Sequence, residues 1–281
     1  MAKKSASVPR LNNLVVVSDL HVGCALGLLG PNGAALDDGG HYAPSPFQKV
    51  VYNWWIEFWD VFVPEATKGE SFAVVCNGDA LDGVHHQATT QWSHNLTIQA
   101  RAAKDLLAPV VARCAGLYWH IRGTEVHAGT SAQDEERLAA ELGAIPNRIG
   151  QHARYDLWKL VGPKLVHLSH HIAATSAMQY ESTAPHRELV DSFAEAGRWS
   201  RRPPDVVVRS HRHRCIDTGM PTASGRSYSV TTPGWQGKTP HVWKGSGRLS
   251  EPQFGGIVIR YAHDELFVRS FVKSLAREEA E

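Results

Sequence analysis

The chain lacks the features that would assign it to several specialised classes of protein. Its four cysteines are scattered without the Cys-x-x-Cys spacing of a zinc ribbon or a redox pair, so we expect buried free thiols. Net charge is nearly absent, since 29 Lys and Arg face 28 Asp and Glu, and this balance does not call for a polyanionic partner such as long duplex DNA. No apolar run is long enough to span a bilayer, and no signal peptide is recognisable. We therefore expect a cytoplasmic protein with no membrane partner.

The 281 residues do provide enough apolar side chains for a large core, because hydrophobic residues make up 43% of the chain. There is neither an internal repeat nor a long linker. The expected organisation is a flexible N-terminal segment over 1–12, a single domain over 13–275 and a C-terminal tail over 276–281. Histidine is unusually frequent, with 16 residues.

Strands and helices alternate in the first half of the chain. Apolar runs predict strands at 13–18, 71–76 and 117–121, and helical spacing predicts helices at 46–64, about 95–114 and about 132–142. From residue 152 onward β-type runs follow one another, interrupted by one helical segment near 184–198. This order predicts an α/β fold with two packed mixed β-sheets flanked by helices.

Five of the apolar runs end in acidic or histidine residues. These residues are Asp19 and His21, then Asp79, then Glu125 and His127, then His170 and His171, and finally His211 and His213. An extended backbone with a period of two would direct the first pair, and also the last pair, to one side of the chain. Each residue alone could cap a turn, lie in the core or belong to a solvated loop. Together they predict a common site, because open α/β sheets place ligand sites at strand ends.

The residue types indicate the chemistry of this site. Two Asp and several His without Cys form a nitrogen and oxygen ligand set, which suits Mn, Fe, Zn or Ni. So many ligands suggest two ions. A carboxylate that bridges ions about 3.5 to 4 Å apart can hold a hydroxide between them for attack at phosphorus, and Asp79 is the natural bridge.

The order of the motifs resembles that of the calcineurin-like metallophosphoesterase superfamily. The chain has "DLH" at 19–21, "GD" at 78–79, a Gly-led turn with His127, "HH" at 170–171 and "HRH" at 211–213, where the family has D-x-H, G-D, G-N-H, H and G-H-x-H. The resemblance implies a four-layer α/β/β/α sandwich. It also implies a phosphoesterase with two divalent ions, Mn²⁺ in the first place, with Fe, Zn or Ni as alternatives.

The resemblance also implies a role for each matching residue. Asp19, His21 and His213 would hold the first ion, Asp79 would bridge, and His170 and His211 would hold the second. Whether His170 or His171 is the ligand stays open.

Two departures from the family pattern concern the turn "RGTEVH" and the last motif. Thr124 replaces the Asn ligand, and Glu125 stands at the place of the catalytic His. In one interpretation the turn is shifted, so that His127 protonates the leaving group while Thr124 or Glu125 reaches the second ion. In the other, the second ion is weakly held and the protein is slow or inactive. Ser210 replaces the usual Gly, which affects the backbone rather than the ligands.

The leading hypothesis is a binuclear phosphoesterase that hydrolyses phosphomonoesters or phosphodiesters. Nucleotides, short nucleic acids and phosphoproteins are not distinguished as substrates, and the number of subunits is not indicated. The alternative is a catalytically weak or inactive relative that binds a nucleic acid or a protein. A metallo-β-lactamase-type hydrolase is less favoured, because "SHRHRCID" lacks the Asp-His that should follow. Tryptophans in the loops 83–95 and 231–245 could stack on a substrate, or could only anchor those loops.

Overall fold

The computed structural model describes residues 11–85, 88–129, 131–173, 177–244 and 250–276. Most of the predicted flexible segment over 1–12 and of the predicted tail over 276–281 lies outside the described residues. Within the described ranges, no helix is both long and apolar enough to cross a bilayer. The four cysteines are free thiols, and three of them are buried.

The strands fall into two large sheets and one small hairpin. They are β1 (Asn13–Val17), β2 (Ala34–Ala35), β3 (His41–Tyr42), β4 (Ala73–Asn77), β5 (Tyr118–Ile121), β6 (Ala153–Arg154), β7 (Asp156–Val161), β8 (Lys164–Ser169), β9 (Val206–Arg209), β10 (Ile216–Thr222), β11 (Gly225–Thr231), β12 (Phe254–Ala262) and β13 (Glu265–Lys273). The first sheet has the order β13-β12-β1-β4-β5-β6, and the second has the order β10-β11-β9-β8-β7.

Both sheets are mixed, as predicted. In the first, β1, β4, β5 and β6 are parallel, and β12 and β13 add antiparallel strands at one edge. In the second, β8, β9 and β11 are parallel, and β7 and β10 flank them in the antiparallel direction. The parallel strands of each sheet therefore have their carboxyl ends on the same side of that sheet.

The helices lie close to their predicted positions. They are α1 (Pro46–Glu57), α2 (Val63–Thr67), α3 (Leu96–Arg113), α4 (Glu125–Ala128), α5 (Gln133–Glu141), α6 (Thr183–Arg198) and α7 (Pro240–Lys244). A π-helical stretch at Phe58–Phe62 joins α1 to α2, so the helix predicted over 46–64 is confirmed and continues to Thr67. A capping box starts α1, in which the N–H of Gln48 donates to the Ser45 side chain and the N–H of Ser45 donates to the Gln48 side chain.

The buried side chains of β1 show how the layers are arranged. Leu14 and Val16 pack between the two sheets against valines of β8 and β9. Val15 and Val17 point the other way and pack against the helices α1 and α3. Helix α6 contacts the opposite face of the second sheet, through β9, β10 and β11. The predicted four-layer α/β/β/α sandwich is confirmed.

The core between the sheets should be sensitive to truncation. Ile121 on β5 is fully buried there, so Ile121→Ala should lower the free energy of unfolding by about 2 to 5 kcal/mol. Ile149 is 78% exposed, so Ile149→Ala should change it by about 0.5 kcal/mol or less. Urea unfolding measures both values, and equal losses from the two variants would contradict this assignment of the core.

Candidate metal centre

The six predicted ligands lie in loops at the carboxyl ends of β1, β4, β8 and β9. Five of the six predicted ligands have a left-handed backbone, which side chains rarely adopt: Asp19 (φ 55°), His21 (φ 46°), Asp79 (φ 52°), His211 (φ 69°) and His213 (φ 50°). Such strain persists where the surrounding structure imposes it, and it is concentrated at functional sites.

Asp19 and His21 converge on one point as expected, but a turn rather than strand alternation brings them there. Strand β1 ends at Val17, and both residues follow in a left-handed turn. The turn is held because the N–H of Asp19 donates to the carbonyl of Gly78 at 2.9 Å and the N–H of His21 donates to that of Asp79 at 3.1 Å. The loops after β1 and β4 therefore stay paired beyond the strands, and this pairing brings the side chains together.

One cluster consists of Asp19, His21 and His213, whose potential ligand atoms all lie within 4.8 Å of one another. Nε2 of His213 lies 3.2 Å from Oδ1 of Asp19 and 3.1 Å from Nε2 of His21. These are the three residues that the resemblance assigns to the first ion.

A second cluster consists of Asp79, His170 and His211. Nε2 of His170 lies 3.0 Å from Oδ2 of Asp79, and Nδ1 of His211 lies 4.0 Å from the same oxygen. The clusters adjoin, because Nε2 of His170 is also 4.0 Å from Oδ1 of Asp19. His170 is the buried member of the "HH" pair, whereas His171 is exposed. His211 and His213 do not face one way as expected, but are divided between the clusters.

The two clusters are suited to metal ions. Their donors are carboxylate oxygens and imidazole nitrogens. Oδ1 of Asp19 and Nε2 of His170 are buried, and their contacts with His213 at 3.2 Å and with Asp79 at 3.0 Å are not hydrogen bonds of good geometry, so a cation could meet both atoms. The Nδ1 of His170 donates to the carbonyl of Asn77 at 2.6 Å, and this bond directs Nε2 into the cluster, as in many metal sites.

Electrostatics within the clusters favour charged groups. Burial raises the pKa of Asp19, but His213 and His170 outweigh it and lower that pKa to about 2. Burial likewise raises the pKa of Asp79, and His170 and His211 hold it well below its usual range. Burial lowers the pKa of His170, but Asp79 and Asp19 raise it to about 10. Without a cation, a proton on His170 balances the carboxylates, and an ion that binds through Nε2 must displace this proton.

Thr124 holds the carboxylate of Asp79. Its N–H donates to Oδ1 of Asp79 at 2.7 Å, and its hydroxyl donates to the same oxygen at 3.2 Å. Glu125 is exposed and belongs to none of the clusters found among the described residues. The turn therefore orients the predicted bridging residue from its Oδ1 side, while Oδ2 faces His170.

His127 lies beside the centre, in a cluster with His21 and Asp79. Its Nδ1 lies 2.6 Å from the carbonyl of Asp82, so Nδ1 carries the hydrogen and Nε2 carries the lone pair. Burial and the neighbouring His21 lower the pKa of His127 to about 4. The ring is therefore neutral at neutral pH, and its role as the proton donor stays a prediction.

Sequence reasoning missed Asp82, which lies under His21. Its Oδ1 is 3.3 Å from Nδ1 of His21 and accepts from the amide of Gln236 at 3.1 Å. Its Oδ2 accepts from the amide of Gln91 at 2.7 Å. A carboxylate behind a ligating imidazole fixes the ring and its tautomer. The position of Asp82 in the loop that follows β4, three residues after Asp79, was the available signal.

Glu135, on α5, was also missed, and nothing in the local sequence indicates it. Its side chain is fully buried, and its two oxygens accept from the N–H of Ala80 at 3.0 Å and from that of Gly123 at 2.6 Å. It therefore ties the loop that carries Asp79 to the turn that carries Thr124.

Ser210 belongs to a buried chain of hydroxyl groups beneath the centre. Its Oγ accepts from the amide of Asn77 at 2.6 Å and bonds Oγ1 of Thr232 at 2.7 Å, which in turn bonds Oγ of Ser18 at 2.7 Å. The members follow strands of both sheets. Ser in place of the family's Gly thus links the two sheets at the edge where the ligands lie.

The loop tryptophans serve mainly as anchors. Trp235 is fully buried in the core beside Trp55, and Trp92 stacks on Tyr42. Trp243 is 56% exposed and has the ammonium group of Lys238 over its ring.

Comparisons with known proteins give matches among solved structures alone, since no family model and no curated protein matches the chain. Vacuolar Protein Sorting 29 from Cryptosporidium parvum is 11% identical, with 94% of this chain and 98% of that chain covered and a TM-score of 0.35. A Vps29 double mutant from Entamoeba histolytica is 11% identical, with 94% and 99% covered and a TM-score of 0.39. Sulfate thiohydrolase SoxB from Thermus thermophilus is 11% identical, with 95% and 58% covered and a TM-score of 0.41. At these TM-scores the likenesses carry no weight for function.

The fold, by contrast, is supported by the chain itself. The two packed sheets and the four layers are those that the resemblance to the calcineurin-like metallophosphoesterases implies. The six matching residues form the two adjoining clusters of the centre.

Gly123 should be essential for the position of Asp79. A Cβ at Gly123 would overlap the Oδ1 and backbone of Asp79, so Gly123→Ala should displace the carboxylate and weaken Mn²⁺ binding at least tenfold. The matched control is Gly197→Ala on α6, where a Cβ meets nothing within 4 Å and Mn²⁺ affinity should not change. Isothermal titration measures both affinities, and unchanged binding in Gly123→Ala would contradict this role.

The stability of the metal-stripped protein should fall as pH rises. Because the pKa of His170 is raised from 6.5 to about 10, its stabilising effect is complete below pH 6.5 and is lost as pH increases toward 10. Urea unfolding across this range should show the loss in the wild type and a smaller loss in His170→Gln. The exposed control His94→Gln should behave as the wild type does, and an identical pH dependence in His170→Gln would refute the assignment.

Proposed function

We propose that the chain is a binuclear metal-dependent phosphoesterase. The observation that carries the proposal is the division of six Asp and His residues, from four separate strand ends, into two adjoining clusters. Two adjoining metal sites suit displacement at phosphorus, because both the attacking and the leaving oxygen need stabilisation.

In this proposal Asp19, His21 and His213 hold one divalent ion, and His170 and His211 hold the other, with Asp79 between them. When bound, the ions would supply Lewis acidity that activates water and neutralises charge on the phosphoryl group. Mn²⁺ is the first choice, with Fe, Zn or Ni as alternatives for the same nitrogen and oxygen donors.

The residues around the clusters position the ligands before substrate arrives. Thr124 orients Asp79, Asp82 orients His21, and the carbonyl of Asn77 orients His170. Such preorganisation matters because a misplaced ligand lowers both affinity and rate. Thr124 donates two hydrogen bonds to Asp79, and this use of the turn differs from that of the family's Asn.

His127 is proposed to transfer a proton to the leaving oxygen at Nε2. The bond between its Nδ1–H and the carbonyl of Asp82 leaves Nε2 as the atom that gains and loses the proton. Since its pKa is about 4, the protonated form is a strong acid, present in a small fraction at neutral pH. Aryl esters need less help of this kind than alkyl esters.

Hydrolysis of bis-p-nitrophenyl phosphate and p-nitrophenyl phosphate by Mn²⁺-reloaded protein tests the proposal, with metal content measured in the same sample. Asp79→Asn should lose the ions and the turnover together, because its carboxylate joins the clusters. Asp38→Asn, a change in an exposed loop, should lose neither. A protein that holds both ions and hydrolyses neither ester would favour the alternative, an inactive relative that binds a nucleic acid or a protein.

The role of His127 has its own test. His127→Ala should retain the pair of ions and lose turnover on alkyl phosphate esters by about 10²-fold or more, with a smaller loss on p-nitrophenyl esters. Equal losses on the two kinds of ester would contradict the role of His127 as the proton donor.

A further inference from the structure

A third group of ligand-type residues lies beside the two clusters and shares none of their six residues. It consists of Asp82, His85 and His127, and the potential ligand atoms of these three residues all lie within 4.8 Å of one another. Two members come from the loop after β4, and the third comes from the short helix α4. We propose that Asp82, His85 and His127 form a third cation site, suited to a borderline divalent ion such as Zn²⁺.

The spacing of the donors suits a cation. Nε2 of His85 lies 3.6 Å from Oδ2 of Asp82. Two donors that each lie about 2.1 Å from a tetrahedral zinc ion are about 3.4 Å apart. The rings of His85 and His127 meet edge to face, with centroids 4.5 Å apart, so the second imidazole lies next to the first.

The site is separate from the first cluster because the ring of His21 stands between them. Nε2 of His21 faces His213 at 3.1 Å, and Nδ1 on the other edge faces Oδ1 of Asp82 at 3.3 Å. Asp82 can orient His21 with Oδ1 and still offer Oδ2 toward His85. One carboxylate and two imidazoles, with a coordination position left for water, make a donor set typical of zinc. Because Nδ1 of His127 donates to the carbonyl of Asp82, Nε2 would be the ligand atom, so an ion here excludes the proton proposed for Nε2 and would inhibit turnover.

An ion also has a route into this group. The carboxylate of Asp82 is buried, but the side chain of His85 is 16% exposed, and the neighbouring Val84 is 53% exposed. The bound ion would tie the loop after β4 to α4, two segments that flank the centre. It should therefore stabilise the folded protein in addition to any effect of the other two ions.

The test counts Zn²⁺ in protein that has been stripped, reloaded and freed of excess metal. The wild type should hold three Zn²⁺ per chain, His85→Ala two, and Asp79→Asn one, because Asp79 belongs to the pair and not to the third site. The matched control is His94→Ala, an exposed histidine of the same loop, which should still hold three.

Thermal unfolding provides the second readout and shows that the variants fold. Zn²⁺ should raise the melting temperature of the wild type and of His94→Ala by more than that of His85→Ala. His85→Gln, which keeps a polar side chain, should reproduce the loss of one ion.

Two Zn²⁺ in the wild type, or three in His85→Ala, would overturn the third site. Loss of all ions in His85→Ala would also overturn it, because His85 would then act through the pair. Two Zn²⁺ in the wild type with turnover of phosphoesters would leave the proposed function standing without the third site. Three Zn²⁺ in the wild type, with no turnover in His85→Ala, would leave the third site standing without the proposed function.

Discussion

The buried carboxylate of Asp79 is the constraint on which the rest of the centre depends. A charge of this kind is stable inside a protein only when each oxygen has a partner. Oδ1 receives the N–H and the hydroxyl of Thr124, and Oδ2 faces His170. Gly123 has no side chain because a Cβ there would occupy the space of Oδ1. The sequence "GTEVH" is therefore adapted to this carboxylate, although it lacks the family's Asn.

The two sheets supply the rigidity that this arrangement needs. Left-handed backbone at five ligand positions is unfavourable, and it persists because the flanking strands are fixed in a close-packed core. The hydroxyl chain from Ser18 through Thr232 to Ser210 couples the sheets where the ligands emerge. Glu135 fixes the loops from the outer side. The packed strands and the buried hydrogen bonds around the loops thus hold these unfavourable backbone conformations in place.

The negative charges of the buried carboxylates in the centre have to be balanced by positive charge on imidazoles or on a cation. Asp19, Asp79 and Asp82 are all buried, and imidazoles meet each of them. Without ions, protonation of His170 supplies part of the balance, which explains why its pKa rises despite burial. A divalent cation would replace that proton. The same reasoning applies to the third group, where the imidazoles of His85 and His127 lie next to the buried carboxylate of Asp82.

The sequence by itself determined the alternation of strands and helices, the strand ends and the set of ligand-type residues, because apolar periodicity and motifs can be read along the chain. The order of the motifs implied the four layers through the family resemblance. The continuous apolar run around Val15 and Val16 is enough to predict a strand that is buried on both faces. An Asp or a His that follows such a run can be seen in the sequence without coordinates. Tertiary structure alone decided between His170 and His171 and divided His211 from His213. It alone revealed Glu135 and the role of Asp82, since these depend on distances between segments that are remote in the chain. The left-handed turn at Asp19 was also beyond the sequence, because it is imposed by hydrogen bonds to the loop after β4 rather than by local preference.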